Sequence, residues 1–144
     1  MYYFAFKLKK TYSIYIIMKF EVLTPSCNID TVKDGRGGIF TWLPKEPIVE
    51  FNLLYFRPGK TRGFHYHPHF IEYILIVDGN GVMVVKENLK KNEKEKIIHL
   101  SKGVCTRTEM NVYHTVYAIT NLTIVAMLTK PWDECDPPIK RLEK

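Results

Sequence analysis

Cysteine is scarce in this chain. There are three, Cys27, Cys105 and Cys135, with no CxxC pair. An odd, unpatterned count argues against a disulfide framework and for reduced thiols in a cytoplasmic protein. None of the three sits in a recognised catalytic pattern, so a cysteine nucleophile has no support. Long apolar runs are missing too. The N-terminus is aromatic and basic, and its longest stretch between charges, Thr11 to Met18, is too short to span a bilayer. No small-residue cleavage site follows it, so neither a signal peptide nor a membrane span is expected. Internal repeats and low-complexity tracts are absent, and helical periodicity is almost so. The net charge is +6, yet the basic residues form no stripe interleaved with aromatics, so nucleic acid is not the expected partner. A scattered positive field suits an anionic small molecule instead.

What is present reads as one all-β domain. The 144 residues suffice for a single core, and 46% hydrophobic and 13% aromatic content suits a folded protein. Short apolar, β-branched and aromatic segments recur. The pattern predicts strands at 20–23, 38–43, 49–56, 70–77, 82–87, 96–100, 104–107, 114–119 and 123–128. Turn signals separate them, among them Pro58-Gly59 and Asp78-Gly79-Asn80-Gly81. Many short strands at regular spacing argue for a β-sandwich or barrel. The mixed-charge run Lys86 to Lys96 reads as a solvated hairpin loop, and the proline-rich tail from Pro131 as an irregular strap. Met18 opens a more ordinary start, so the domain is taken as 18–144. Residues 1–17 are either an N-terminal extension or an extra edge strand.

The chemistry concentrates in GKTRGFHYHPHFIEYILIVDG. His65 and His67 are two apart, so on a strand both point to one face. Glu72 follows a short bend and can return to that face from the next strand. Two imidazoles and a carboxylate converging on one point suit a divalent metal, or acid–base work on a small substrate. A second stretch, GVCTRTEMNVYH, supplies His114. Arg62 stands beside the histidines as an anion binder, and Arg107 is a candidate cation of the pocket wall. Tyr66 and Tyr113 flank ligand histidines and are the tyrosines expected in the pocket, whereas Tyr55 and Tyr73 read as sheet or core residues. His69 reads as rim and His99 as surface or strand packing.

The spacing Gly59, His65, His67, Glu72, Gly79 resembles the first signature of the cupin superfamily. The second stretch resembles its second signature, with Gly103 and His114 in place, Glu109 where proline is usual and Asn111 where the turn glycine is usual. Asparagine tolerates the left-handed conformation that such a turn needs. From Gly35 onwards the chain is similar to the small sugar-nucleotide cupins. These are the sugar 3,4-ketoisomerases and, more distantly, the dTDP-4-dehydrorhamnose 3,5-epimerases. Arg36-Gly37, the strand VEFNLLYF, the core Arg62-Gly63-Phe64-His65-Tyr66-His67 and the segment from Trp132 to Ile139 carry the likeness.

The resemblance implies a cupin-type antiparallel β-sandwich, a jelly-roll barrel, that dimerises through N-terminal strand exchange. It implies isomerisation or epimerisation of a keto-deoxy-sugar nucleotide for surface polysaccharide synthesis, with His65 and His67 moving the proton and no metal. One departure matters. Those isomerases usually lack a carboxylate at the place of Glu72, whereas this chain keeps all four cupin ligand positions, His65, His67, Glu72 and His114. That complete set implies a divalent metal, for which Fe, Mn, Ni or Zn would each serve. Two other readings follow, a metal-dependent dioxygenase-like cupin and a non-catalytic sugar-binding cupin.

Overall fold

A computed structural model describes residues 18–25, 33–90, 92 and 94–142. The expected extension or edge strand at 1–17 and Cys27 lie outside the described residues. Eleven strands follow in order: β1 (Phe20–Leu23), β2 (Lys33–Asp34), β3 (Gly37–Gly38), β4 (Glu50–Phe56), β5 (Thr61–His65), β6 (Glu72–Asp78), β7 (Asn80–Lys86), β8 (Lys96–Ser101), β9 (Cys105–Thr108), β10 (Tyr113–Ala118) and β11 (Leu122–Leu128). A short 3-10 turn, Trp132–Glu134, follows β11. Nine of these strands form two antiparallel sheets. The first has the order β1-β9-β6-β11-β4 and the second β5-β10-β7-β8, and the pair β2-β3 stands apart.

Strand alternation decides the layers. Along β11, Leu122, Ile124, Ala126 and Leu128 are buried and the residues between them are half-buried, so one face turns to the core. Ile74 and Ile76 do the same on β6, as do Met83 and Val85 on β7 and Val116 and Ala118 on β10. They meet between the sheets with Phe20, Phe56, Leu100 and Val112. Each fully buried aliphatic or aromatic side chain contributes about 1.5–3 kcal/mol. β4 and β5 are edge strands of different sheets, joined by the turn at 57–60. The seam between these two edges is where the sandwich opens.

Two expectations need correction. The apolar run at 38–43 is not a strand. Only Gly37–Gly38 pairs, with Lys33–Asp34, and Ile39, Phe40 and Leu43 stay exposed. Apolar, β-branched composition does not make a strand without a partner edge. Conversely, the TRGFH segment is a strand although its composition signals none, because β10 supplies its ladder. The charged run does close a hairpin, since β7 pairs with β8, and Lys86 and Lys96 reach Glu95 and Glu87 across it. Among the described residues no helix is long and apolar enough to cross a membrane.

Candidate functional site

The β5–β10 ladder aims the site. His65 pairs with His114, and Gly63 with Thr115, so Phe64 is an extra residue bulged out of the ladder. Phe64 has φ 56, and its N–H donates to Thr115 Oγ1 at 2.9 Å. Without the bulge, Arg62 and His65, three apart, would face opposite ways. With it both turn inward, opposite the inward-facing Val116 and His114. Gly63 makes this fit possible. Its φ is +115, and a Cβ there would lie 2.7 Å from the His114 carbonyl oxygen.

His67 comes from the loop after β5. The backbone N–H of Asn111 donates to its carbonyl at 2.9 Å. Asn111 has φ 60, the left-handed conformation expected of it, so the turn before β10 holds both His67 and His114. Glu72 opens β6 on the facing sheet. Together the rings of His65, His67 and His114 offer nitrogens within 4.8 Å of one another. Oε2 of Glu72 lies 3.1 Å from Nε2 of His114 and 3.5 Å from Nε2 of His67.

Backbone carbonyls fix two of the tautomers. His114 Nδ1 lies 3.1 Å from the Val112 oxygen, and His67 Nδ1 lies 3.1 Å from the Pro138 oxygen. A carbonyl only accepts, so each Nδ1 carries a proton and each Nε2 is the nitrogen that faces Glu72. Nε2 of His67 and Oε2 of Glu72 are buried with no aligned hydrogen-bond partner. Burial alone would raise the Glu72 carboxyl, but the flanking imidazoles of His114 and His67 outweigh it and hold it well below its ordinary range. On His114 burial acts downward, and the adjacent Glu72 carries it above its ordinary value. His65, half-buried, is pushed down to about 3 by burial and then by the two other imidazoles, so it is neutral at physiological pH.

This donor set fits a divalent cation. Ligands at roughly 2.1 Å from a common ion stand about 3.0–3.4 Å apart, and the two carboxylate–imidazole separations are 3.1 Å, inside that range, and 3.5 Å, just beyond it. Two buried polar atoms without an aligned partner, an imidazole nitrogen and a carboxylate oxygen that can each give an electron pair, are what a shared ion would satisfy.

The remaining sequence candidates divide. Arg62 lines the same cavity as His65, Glu72 and His114, with its guanidinium carbon 5.8 Å from the Phe56 ring centre. Arg107 does not. It lies beside Tyr73 in the ladder, on the outer face of the first sheet, and pairs with Glu46 at 2.6 Å and Glu109 at 2.9 Å. Its alternation partner Thr108 faces inward beside Glu72 instead. The pocket-wall role expected of Arg107 is therefore replaced by a clasp that binds the 45–46 segment to the sheet, with Tyr73 joining through Glu46. Tyr113 also turns away, because His114 next to it turns in, and Lys86 caps its ring. Tyr66 is half-buried, and its backbone pairs with that of Lys140.

Trp132 was not singled out by the sequence as a site residue, yet its ring centre lies 6.1 Å from that of His67. With Glu50, Asn52, Leu54, Glu72 and Asp133 it lines an open cavity of about 560 Å³. Its strap-like setting is the signal that could have found it. The segment after β11 does cross β5, and Arg141 donates to the Gly63 carbonyl.

Comparison with known proteins agrees with this architecture. The family model described as the polysaccharide biosynthesis C-terminal domain matches residues 32–135. A 3,4-ketoisomerase from Helicobacter canadensis superposes with a TM-score of 0.69 at 17% identity, covering 86% of this chain and 91% of that one. QdtA, a sugar 3,4-ketoisomerase from Thermoanaerobacterium thermosaccharolyticum solved with TDP, gives 0.67 at 17% identity over 88% and 90%. ChmJ, a 3'-monoepimerase from Streptomyces bikiniensis solved with dTDP-quinovose, gives 0.67 at 18% over 78% and 65%. The fold is the cupin sandwich that the sequence implied. No curated protein sequence matches.

Proposed function

Since the chain belongs to the family of the polysaccharide biosynthesis C-terminal domain, we propose that it isomerises or epimerises a keto-deoxy-sugar nucleotide, dTDP-linked, for a surface polysaccharide. The observation that carries this reading is the cluster of three imidazoles with Glu72, of which His65, His114 and Glu72 line a cavity together with Arg62. The ketoisomerase and epimerase likenesses support it.

His65 is the imidazole left to exchange protons. His67 and His114 each have one nitrogen tied to a backbone carbonyl, whereas no hydrogen bond ties His65 among the described residues. Neutral His65 takes the proton from the carbon beside the sugar carbonyl. The electron pair of the broken C–H bond moves into the carbonyl to give an enolate, whose oxygen Arg62 stabilises. A proton returned to the same carbon from the other face gives the epimer. A proton returned to the neighbouring carbon, with the hydroxyl proton shifting between the two oxygens, gives the isomeric ketone. His67, its ring centre 4.7 Å from that of His65, is the second group of the acid–base pair.

In the alternative reading with a metal, His65, His67, Glu72 and His114 would hold a divalent ion such as Fe, Mn, Ni or Zn, and His65 and His67 would then not be the groups that move the proton. Such an ion would supply Lewis-acid polarisation of the sugar carbonyl. The homodimer belongs to the same proposal. Beside the N-terminal strand exchange that the resemblance implies, the outer face of β4, where Phe51 and Leu53 are 76% and 53% exposed, is apolar surface for a second copy to cover.

Incubation with dTDP-4-keto-6-deoxyglucose in deuterated water tests the reaction. Deuterium entering beside the carbonyl, followed by mass spectrometry and NMR, is the expected result. Binding without exchange would favour the sugar-binding reading, and oxygen consumption the dioxygenase-like one.

A further inference from the structure

Five buried side-chain polar atoms find no hydrogen-bond partner among the described residues, and four of them lie on or beside Glu72. Two are Nε2 of His67 and Oε2 of Glu72 itself. The other two are the hydroxyls of Thr106 and Thr108, which take no part in the cluster of imidazoles.

The sheet sets their place. On β9 both threonines turn inward, while Arg107 between them turns out. Thr108 pairs with Glu72 on one side and with Phe20 on the other, and Thr106 pairs with Ile74 and Val22. The two threonines are 1% and 0% exposed, and Phe20 beside them is buried, so bulk solvent reaches neither hydroxyl. The neighbouring inward positions are apolar, with Ile74 and Ile76 on β6 and Leu122, Ile124, Ala126 and Leu128 on β11. Valine would fill the same space as threonine without a hydroxyl to bury, and a buried hydroxyl is costly unless it is bonded. Two such groups on one strand, next to the carboxylate of the site, call for a polar occupant that all three share.

Resting on the site chemistry proposed above, we infer that Thr108 is a positioning residue for Glu72, acting through one buried water that Thr106 also holds. Cross-strand neighbours stand about 4.5–5.5 Å apart at Cβ. Two hydrogen bonds of about 2.8 Å each, meeting at a water, span such a gap. A buried water makes about three hydrogen bonds to groups that otherwise lack them. Here it accepts from the hydroxyls of Thr108 and Thr106 and donates to the Glu72 carboxylate. The carboxylate is thereby held from the β9 side, and Oε2 keeps its place 3.1 Å from Nε2 of His114. An outer partner of this kind orients the group that does the work, whether that group faces an ion or a protonated imidazole.

The test is a crystal structure of the full chain at a resolution that shows ordered water, for wild type, Thr108→Val and Thr108→Ser. Wild type should show one water within hydrogen-bond distance of both threonine hydroxyls and of Glu72. Thr108→Ser should keep it. Thr108→Val should lose it, and its Glu72 carboxylate should turn from the place beside His114. In turnover Thr108→Val should lose about tenfold in kcat, the scale of a lost outer partner, with KM nearly kept and an unchanged melting temperature. Thr108→Ser should restore most of that kcat. A merely buried threonine behaves differently, since Thr108→Val would then be at least as stable and as active as wild type with Glu72 unmoved. That result, or a wild-type structure with no water between Thr108 and Glu72, would overturn the proposal. Failure of the reaction itself is distinguishable. A water in place, with a Glu72 that turns when Thr108→Val removes it, keeps the positioning role even if no keto-sugar nucleotide exchanges deuterium.

Discussion

Oε2 of Glu72 stands 3.1 Å from Nε2 of His114, yet that oxygen has no aligned hydrogen-bond donor. Two groups so close and so poorly aligned are directed at a third point. Glu72→Gln removes the only anionic donor from that point, and a neutral amide oxygen is a poorer partner for a cation. Since even an outer-shell change costs 10–100-fold in metal affinity, the loss here should be about a hundredfold or more. Metal content by mass spectrometry, with a competing chelator, measures it. Wild-type protein that takes up none of Fe(II), Mn(II), Ni(II) or Zn(II) would show the donor set to work without an ion. Activity of Glu72→Gln would then fall only modestly.

Gly63→Ala should damage fold and site together. The new Cβ meets the backbone of His114 and Thr115 at 2.7 and 2.8 Å, and backbone has no flexible end to swing away. An unfavourable φ of this kind costs about 1–3 kcal/mol. A drop in melting temperature of roughly 4 °C or more should follow. Metal affinity should fall as well, because the clash pushes His114 away from His65. A variant as stable as wild type would mean that β5 can shift without consequence.

The two arginines should separate by phenotype. Arg107→Met leaves Glu46 and Glu109 without their partner and should cost about 1.5–3 kcal/mol, the scale of hydrogen bonds to charged groups. Its kcat/KM should stay within about twofold at a temperature where it is folded. Arg62→Met should do the reverse, losing about tenfold or more in kcat/KM with an unchanged denaturation midpoint. Equal loss of activity in both would return Arg107 to the pocket.

The same clasp predicts an acid dependence. Hydrogen bonding to Arg107 outweighs burial and holds the Glu46 carboxyl below its ordinary 4.5. A carboxyl lowered on folding adds stability above the unfolded value and loses it as pH falls through the folded one. Denaturant unfolding of wild type should therefore weaken between about pH 4.5 and lower values, and Arg107→Met should show a shallower slope there. Parallel slopes would exclude Glu46 as the source.

The outer face of β4 gives a separate test of assembly. Leu53→Asp places a charge in the centre of the exposed apolar row, where burial without a partner is costly. Sedimentation should find a dimer for wild type and a monomer for the variant. A wild-type monomer at micromolar concentration would end the proposal.

Strand alternation and turn residues made most of the sandwich legible, because they act locally. The spacing singled out His65, His67, Glu72 and His114, but not how they meet: β5 ends at His65, His67 follows from the loop after it, and Glu72 comes from β6 on the facing sheet. The spacing marked the Asn111 turn as well. Arg107 was not, since its direction depends on which face of β9 meets the core, a matter of sheet packing. Tyr113 turns away by the alternation along β10 that turns His114 in. That Arg62 and His65 face one way was hidden because an odd spacing needs a bulge, and the bulge at Phe64 arises from the register with β10. The apolar 38–43 segment misled because composition says nothing of whether an edge is free to pair.

The carbonyl of Pro138 that fixes the His67 tautomer is a backbone atom, and every residue type has one. A substitution scan across 138–140 would accordingly find a permissive stretch, since side chains there can change while the acceptor stays. A single proteolytic nick in the same stretch would release that acceptor, and His67 would lose the contact that chooses which nitrogen bears its proton. The segment is thus tolerant of mutation and intolerant of cleavage. Limited digestion that spares the sandwich would abolish the site's chemistry with its histidines and Glu72 still in the fold.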